Sequence, residues 1–262
     1  MAIIVMAMSF GCQRPMTTKE REERLKELLK DKYGEEFEVR ELYVTGAVEA
    51  WCYPVNDFSR IFKIETMLDM ENIIEDDYLQ SIVAAQINEE LQPLADNSFG
   101  DCYVYSNILL ASTSGFLDPK ASDITLQKLY EYMESNNYGD SIHINVFVNS
   151  SNSNSDYSKE FVFIENIGNM IKEKKLSSST KVVIYYGDKN FTSSAQKAIA
   201  EFGWNTISNN SRIDIMDVIN NRDGIRVYFN SNGEPMNHKN NADESSLMDA
   251  EEYRKKRMEV IK

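Results

Sequence analysis

In the first hundred residues, segments whose hydrophobic residues recur with the period of a helix alternate with segments that have the period of a strand. Leu25, Leu28 and Leu29 recur at intervals of three and four residues, which predicts an amphipathic helix. Thr17 or Thr18 can cap its start, and Gly34 ends it. The order of elements in this half is αββαβ. The predicted elements are a helix at 18–32, strands at 37–53 (interrupted near Gly46) and 60–68, a helix from 75 to about 91 ended by Pro93, and a strand at 102–111.

The second half alternates strand and helix patterns. Ile142, Ile144, Val146 and Val148 occupy every second position, which predicts a half-buried strand with His143 on its other face. Alternating strands and helices favour a layered sheet, so the predicted fold class is α+β, with two small sheet-plus-helix halves. The predicted elements are helices at 124–133, 157–174, 191–202 and 213–220, and strands at 142–148, 181–186, 204–207 and 225–229.

These patterns divide the chain into four parts. A polar stretch at 112–122 separates the two halves, and a second polar stretch follows at 234–243. The predicted parts are a signal segment at 1–11, an N-terminal α+β half at 17–111, a C-terminal α/β half at 123–233 and a C-terminal helix at 244–262.

Composition and charge narrow the classes of function. Hydrophobic residues make up 42% and charged residues 27% of the 262 residues, which excludes collagen, a disordered tail and a polytopic membrane protein. The net charge is −14, so we expect no binding to nucleic acid, which requires clusters of Lys and Arg. The basic cluster at 254–257 is flanked by glutamates and is typical of a solvated helix face.

The N-terminus begins with an uncharged, mostly apolar segment. Residues 2–11 (AIIVMAMSFG) are too few to span a bilayer, which takes about 20 helical residues. Their length fits the apolar region of a signal peptide, and Ser9, Phe10, Gly11 and Cys12 resemble a bacterial lipobox. That resemblance implies cleavage before Cys12 and a lipid on its sulfur. The alternative is a buried first strand in which Cys12 is a small core residue.

Two phrases of sequence resemble a recurrent pattern in uncharacterised surface lipoproteins of low-GC Gram-positive bacteria, YGEEFEV at 33–39 and DDYL at 76–79. A third phrase, VYFNSNGE at 227–234, is hairpin-like in the same style. The resemblance covers residues 1–110 and implies an extracytoplasmic location, membrane anchoring and an α+β ectodomain. It implies neither an activity nor site residues.

The two remaining cysteines lie in strand-like, aromatic surroundings. If Cys12 carries a lipid, Cys52 and Cys102 form an even pair, which suits an extracytoplasmic disulfide. Closing a loop of about 50 residues would stabilise the fold by roughly 4 kcal/mol. The alternative is two separate buried thiols.

Candidate catalytic chemistry is sparse. His143 and His238 are the only histidines, and the sequence has no nucleophile, phosphate-loop or metalloprotease motif beside them. The acids at 75–77 are typical of a helix N-terminus, where they cap free N–H groups. Residues 96–101 resemble a calcium loop only loosely, because Asn107 stands where the bidentate Glu is required. The sequence therefore predicts no catalytic, cofactor-binding or metal-binding residues.

Tyrosine is the abundant aromatic residue, with 14 copies. Tyr103 and Tyr105 should share one face of a strand, whereas Tyr185 and Tyr186 should lie on opposite faces. Such residues suit a surface for peptide or sugar, and they suit half-buried strands equally well.

Together these features favour a non-enzymatic, lipid-anchored extracytoplasmic binding or accessory protein without a cofactor. Its partner would be an unidentified protein, peptide or small-molecule ligand, and it would reach the membrane only through its N-terminal lipid. The second hypothesis is an acidic cytoplasmic protein that acts through protein contacts, such as an immunity or regulatory factor. The third is a hydrolase or transferase whose site is assembled from scattered Asp, Glu, Ser and Tyr residues.

Overall fold

The fold is seen in a computed structural model of the chain. The structure describes residues 14–58, 60–110, 124–125, 127–129, 131, 140–149, 157–174, 179–187, 189–202, 224–229 and 235–236.

These residues form four long helices and nine strands in two sheets. The helices are α1 (Thr18–Tyr33), α2 (Tyr78–Phe99), α3 (Tyr157–Glu173) and α4 (Phe191–Phe202). The strands of the first sheet are β1 (Phe37–Val44), β2 (Val48–Pro54), β3 (Phe62–Thr66) and β4 (Ile73–Asp76). Those of the second sheet are β5 (Cys102–Leu110), β6 (Asp140–Asn149), β7 (Ser179–Gly187), β8 (Gly224–Phe229) and β9 (Pro235–Met236). The predicted α+β class is confirmed, and residues 127–129 and 131 are also helical.

The first helix ends where its sequence predicts. Thr17 is the N-cap, and it forms a reciprocal capping box with Glu20, which satisfies two N–H groups that the helix leaves free. Gly34 ends the helix in the left-handed conformation at φ 74°, which a residue with a Cβ rarely adopts. Leu25 and Leu29 are fully buried.

The first sheet is an antiparallel meander in the order β1-β2-β3-β4. The segment 37–53, which the pattern gives as one interrupted strand, is a hairpin, because Val44 pairs with Val48 around Gly46. The acids at 75–76, predicted to open a helix, instead belong to β4, which pairs with β3. The order of the N-terminal half is therefore αββββαβ rather than αββαβ.

The second sheet has the order β5-β6-β7-β8-β9. Strand β5, which the sequence places with the N-terminal half, pairs with β6 over its whole length and so belongs to this sheet. A boundary near residue 111 would cut the sheet between its first two strands. Of the strands that the structure describes, only β6 and β7 pair in parallel, and the crossover between them contains α3.

Strand β6 is buried on both faces, not on one as predicted. Ile142, Ile144 and Val146 pack in the main core, while Asn145 and Phe147 on the other face are 2% and 0% exposed. Helix α4, which connects β7 to β8, covers Phe147 on this second face.

Helix α2 joins the two sheets. One continuous cluster of buried side chains includes Ile64 of the first sheet, Leu91 of α2 and Ile144 of the second sheet. The helix continues past Pro93, where the sequence predicts its end, and Ala95 and Ser98 are buried in its last turns. A proline inside a helix costs about 3 kcal/mol, so the packing of this last segment outweighs the loss.

Several predictions lie outside the described residues. They concern 1–11 with Cys12, the stretch 112–122, the elements at 204–207 and 213–220, His238, the basic cluster at 254–257 and the C-terminal helix. Within the described part, no helix has the length and apolar character that crossing a bilayer demands.

Candidate functional site

The carboxyl ends of β6 and β7 form the main candidate site. The two strands are parallel neighbours, and the helices that follow them lie on opposite faces of the sheet. Helix α3 packs through Phe163 and Ile167 on the main core, whereas α4 packs through Phe191 on Phe147. Because the connections leave neighbouring strand ends toward opposite faces, this edge is a topological switch point, the place at which open α/β sheets bind ligands.

Three polar side chains meet at this edge. Asn149 at the end of β6 donates from Nδ2 to Asp101 Oδ2 at 2.6 Å and to Thr192 Oγ1 at 2.8 Å. Its Oδ1 accepts the Thr192 backbone N–H at 2.9 Å, and Thr192 Oγ1 donates to Asp101 Oδ1 at 3.3 Å. Asp101 is exposed, Asn149 is half-buried and Thr192 is buried. We call Asp101, Asn149 and Thr192 the switch-point cluster.

Local sequence explains why α4 begins so close to the strand end. A Cβ at Gly187 would lie 2.1 Å from Cγ of Phe191, so only glycine allows the Phe191 ring to pack there. The Phe191 ring reaches Phe147 at 5.7 Å between centroids. The first turn of α4 is thereby held beside Asn149 and Asp101, and the Asp101 carboxylate complements the partial positive charge of the helix N-terminus.

A second cluster of polar residues lies at the junction of β4 and α2. The Asp76 carboxylate is 1% exposed and accepts from Lys32 Nζ at 2.6 Å, Tyr33 OH at 2.6 Å and the Tyr78 N–H at 3.1 Å. Burial, followed by the charge of Asp76, raises the pKa of Tyr33. Asp76 thus fastens the end of α1 to the start of α2.

Asp77 does not cap the helix with its side chain, as the sequence predicted it would. It occupies the N-cap position of α2, yet its side chain makes no capping hydrogen bond, and the N–H of the first helical residue, Tyr78, donates to Asp76 instead. Burial, and then the charges of Glu75 and Asp76, raise the pKa of Asp77 to about 7. A carboxyl group that titrates near neutrality can exchange protons under physiological conditions.

Cys52 and Cys102 are free thiols in the structure, so the disulfide considered from the sequence is not formed. Cys52 is fully buried in β2 of the first sheet, and burial raises the pKa of its thiol. Cys102 begins β5 in the second sheet, where burial and Asp96 raise its pKa to about 12. High pKa values leave little thiolate, so neither cysteine is a reactive nucleophile.

The tyrosines predicted to share a face do so, but they lie between layers. Tyr103, Phe147 and Tyr185 occupy one register row across β5, β6 and β7, with stacked rings 6.0 and 5.2 Å apart. Burial raises the pKa of Tyr103 to about 12. Tyr186 packs on the opposite face in the main core. The row supports α4, so these tyrosines do not form a ligand surface.

His143 is half-buried in β6, in register with Asn107 and Lys181 on the strands beside it. Asp96 and Ser98, suggested as part of a calcium loop, lie within α2. No group of three His, Cys, Asp or Glu side chains in the described part of the chain could hold a metal ion.

Sequence reasoning missed the switch-point cluster. Asn149 and Thr192 are 43 positions apart, and Asp101 is 48 positions before Asn149. The one available signal was the βα alternation of the second half, which places strand ends and helix starts at a common edge.

The fold defines an α+β protein of two sheets joined through one helix. No protein-family model matches the sequence, and a search of curated proteins gives no match. The chain is similar to the crystal structure of a DUF5037 family protein from Ruminococcus gnavus, with a TM-score of 0.63 and 19% identity. The match covers 80% of this chain and 91% of that chain. At this identity the likeness concerns the fold alone.

Proposed function

We propose that this chain is a non-enzymatic binding or accessory protein, held outside the cell by a lipid on Cys12. Its ligand would bind at the carboxyl ends of β6 and β7, beside the switch-point cluster. The observation that carries the binding proposal is the divergence of α3 and α4 from neighbouring parallel strands, with polar side chains at that edge.

The cluster favours binding over catalysis. Asn149 and Thr192 are held by hydrogen bonds to each other and to Asp101, so their positions are fixed before a ligand arrives. Asp101 is exposed and offers a carboxylate to a ligand that donates hydrogen bonds. A small polar molecule or the end of a peptide meets these requirements, whereas nucleic acid would be repelled by a net charge of −14.

A thermal-shift screen of sugars, amino acids and short peptides tests the binding site. We expect a ligand that raises the Tm of the wild type and has a much smaller effect on Asp101→Asn. The matched control is Asp31→Asn, an exposed carboxylate on α1. Ligands that stabilise both variants equally would place the binding site elsewhere.

The anchoring proposal rests on the apolar segment that ends at Cys12 and on the polar sequence that follows it. The test is expression from the native locus with its upstream DNA, followed by separation of membrane and soluble fractions. We expect the wild type in the membrane fraction and Cys12→Ala released or unprocessed. If both are soluble and begin at Met1, the anchoring proposal is wrong.

The cytoplasmic alternative is favoured by one observation, the two free thiols, because disulfides are rare in reducing compartments. Thiol titration of denatured protein from the native host separates the cases. An anchored protein with a lipid on Cys12 would show two reactive thiols, and an unprocessed cytoplasmic protein would show three.

The hydrolase or transferase alternative has Asp77 in its favour, since the pKa of this carboxyl lies near 7.

A further inference from the structure

The outward face of the first sheet combines aromatic rings with carboxylates. In β2, Val48, Ala50 and Cys52 are buried, so the alternate residues point away from the core. Register extends this face to the neighbouring strands. We call it the aromatic–acidic face, and its residues are Tyr43, Trp51, Tyr53, Glu38, Glu41, Glu49, Lys63, Glu65 and Glu75.

Each ring has a carboxylate as its cross-strand neighbour. Trp51 pairs with Glu41 on one side and Lys63 on the other, and Tyr53 pairs with Glu38. Cross-strand neighbours lie about 5 Å apart, and Trp51 and Tyr53 are about 7 Å apart along β2. A bound cation could therefore contact a ring and a carboxylate together.

The electrostatic potential at this face is negative, because its glutamates outnumber its one lysine. Lys63, its single lysine, lies 2.8 Å from Glu49 and 4.0 Å from Glu65. Burial lowers the pKa of Lys63, but Glu49, Glu65 and Glu75 outweigh it and raise the pKa overall. The hydrogen bond to Glu41 raises the pKa of Tyr43 in the same way.

Two glutamates of the face form no ion pair within 4.0 Å among the described residues. Glu38 is paired with Lys26 at 2.6 Å, and Glu49 and Glu65 share Lys63. Glu41 accepts only the Tyr43 hydroxyl, and Glu75 forms no ion pair within the described part of the chain.

The face is open within the described structure. Leu25 of α1 and Val83 of α2 pack in the core with the buried side of the sheet. Tyr43 is 54% exposed, and the Trp51 and Tyr53 rings are half-buried with no described ring or hydrogen-bond partner.

We propose that the aromatic–acidic face docks a lysine- or arginine-rich segment of a partner protein. The cations would lie over the rings of Trp51 and Tyr53, and Glu41 and Glu75 would neutralise them. An extended segment presents alternate side chains at the same spacing as the two rings. The proposal concerns a different sheet from the switch-point cluster and goes beyond the function proposed above.

The test must separate this face from the general attraction of an acidic protein for cations. The probe is a fluorescein-labelled peptide of alternating Arg and Ser residues, titrated with full-length protein at 0.15 M salt. We expect Glu41→Gln/Glu75→Gln to weaken binding by about tenfold, since the variant removes two charges that face the cations of the peptide. Glu89→Gln/Glu165→Gln makes the same charge change at exposed sites on α2 and α3. It should alter the affinity less than about twofold.

The aromatic contribution is tested at Trp51. Trp51→Leu should weaken binding by about threefold or more, and Trp51→Phe should retain most of the affinity, because phenylalanine keeps a π face. Circular dichroism and thermal unfolding check that each variant is folded. Equal losses in the two double-glutamine variants, equal affinities of Trp51→Leu and Trp51→Phe, or no saturable binding would each overturn the proposal.

Discussion

At the scale of single residues, adjacent carboxylates have opposite roles. The hydrogen-bonding capacity of the Asp76 carboxylate is satisfied, because it accepts from Lys32, Tyr33 and the Tyr78 N–H. Among the described residues the Asp77 side chain has no such partners, and it lies close to the like charges of Glu75 and Asp76. The pair therefore combines a structural ion pair with a carboxyl group whose protonation changes near neutral pH.

Asp77→Asn should raise the free energy of unfolding at pH 8. The pKa of Asp77 is raised from 3.8 to about 7 in the folded protein. Between these values the folded state binds more protons than the unfolded state, so the stability contributed by protonated Asp77 is lost as the pH rises. Asparagine keeps the shape of the aspartate side chain and removes its charge. We therefore expect the free energy of unfolding at pH 8 to rise by an amount on the order of 2 kcal/mol.

Urea denaturation between pH 4 and 8 measures this effect as the difference between variant and wild type. The difference should be small at pH 4, grow as the pH rises from 4 to 7, and level off above pH 7. Asp31→Asn, at an exposed position, is the control and should not change the pH dependence. A difference that stays constant with pH would show that Asp77 is ionised throughout.

Local signals at this scale were readable in the sequence. Thr17, Glu20 and Gly34 act within their own turn of chain, so their capping roles follow from spacing alone. Asp76 depends on Lys32 and Tyr33, which are 44 and 43 positions away. No local pattern shows that these residues meet, which is why the acids at 75–77 gave a helix start rather than a strand end.

At the scale of elements, α2 covers an edge that would otherwise be open. Strand β5 ends the second sheet, and exposed edges can pair with other chains. Gln92 on α2 accepts the Val104 N–H at 2.9 Å and donates to the Cys102 carbonyl at 3.1 Å. Asn88 accepts the Ser106 N–H at 2.7 Å. Two helical side chains thus take the place of a neighbouring strand.

Gln92→Met should destabilise the protein by about 1–3 kcal/mol. Methionine matches glutamine in length but leaves the Val104 N–H and the Cys102 carbonyl without their partner. Urea denaturation measures the loss in the free energy of unfolding. Amide hydrogen exchange at Val104 should accelerate more than exchange at Ile144 in the strand beside it. Glu89→Gln, on an exposed part of α2, should change neither value. Unchanged exchange at Val104 would mean that another group protects this edge.

The membership of β5 could not be predicted from its sequence. Its residues indicate a strand, and that prediction is confirmed, but strand propensity does not identify the partner strand. Pro93 was similarly misleading, because the contacts of Ala95 and Ser98 that sustain the helix beyond it are tertiary.

At the scale of the whole molecule, one core serves both sheets. Side chains of α1, α2 and α3 form a single cluster with the inner faces of the first sheet and the second. The sequence predicts the alternation of strands and helices. It does not predict that α3 and α4 cover opposite faces, because both helices have one apolar stripe. That choice of faces defines the topological switch point, and it is decided only when the sheet assembles.

The shared core predicts that the sheets unfold together. Leu91 of α2 is fully buried in the common cluster, so Leu91→Ala should cost about 2–5 kcal/mol. Hydrogen exchange at Ile64 in the first sheet and Ile144 in the second should report the same loss, because a cooperative unit opens as a whole. Leu68→Ala makes the same chemical change at a position that is 49% exposed and should cost less than about 0.5 kcal/mol. If Leu91→Ala destabilises only one sheet, the two halves are separate folding units and α2 belongs to the sheet that responds.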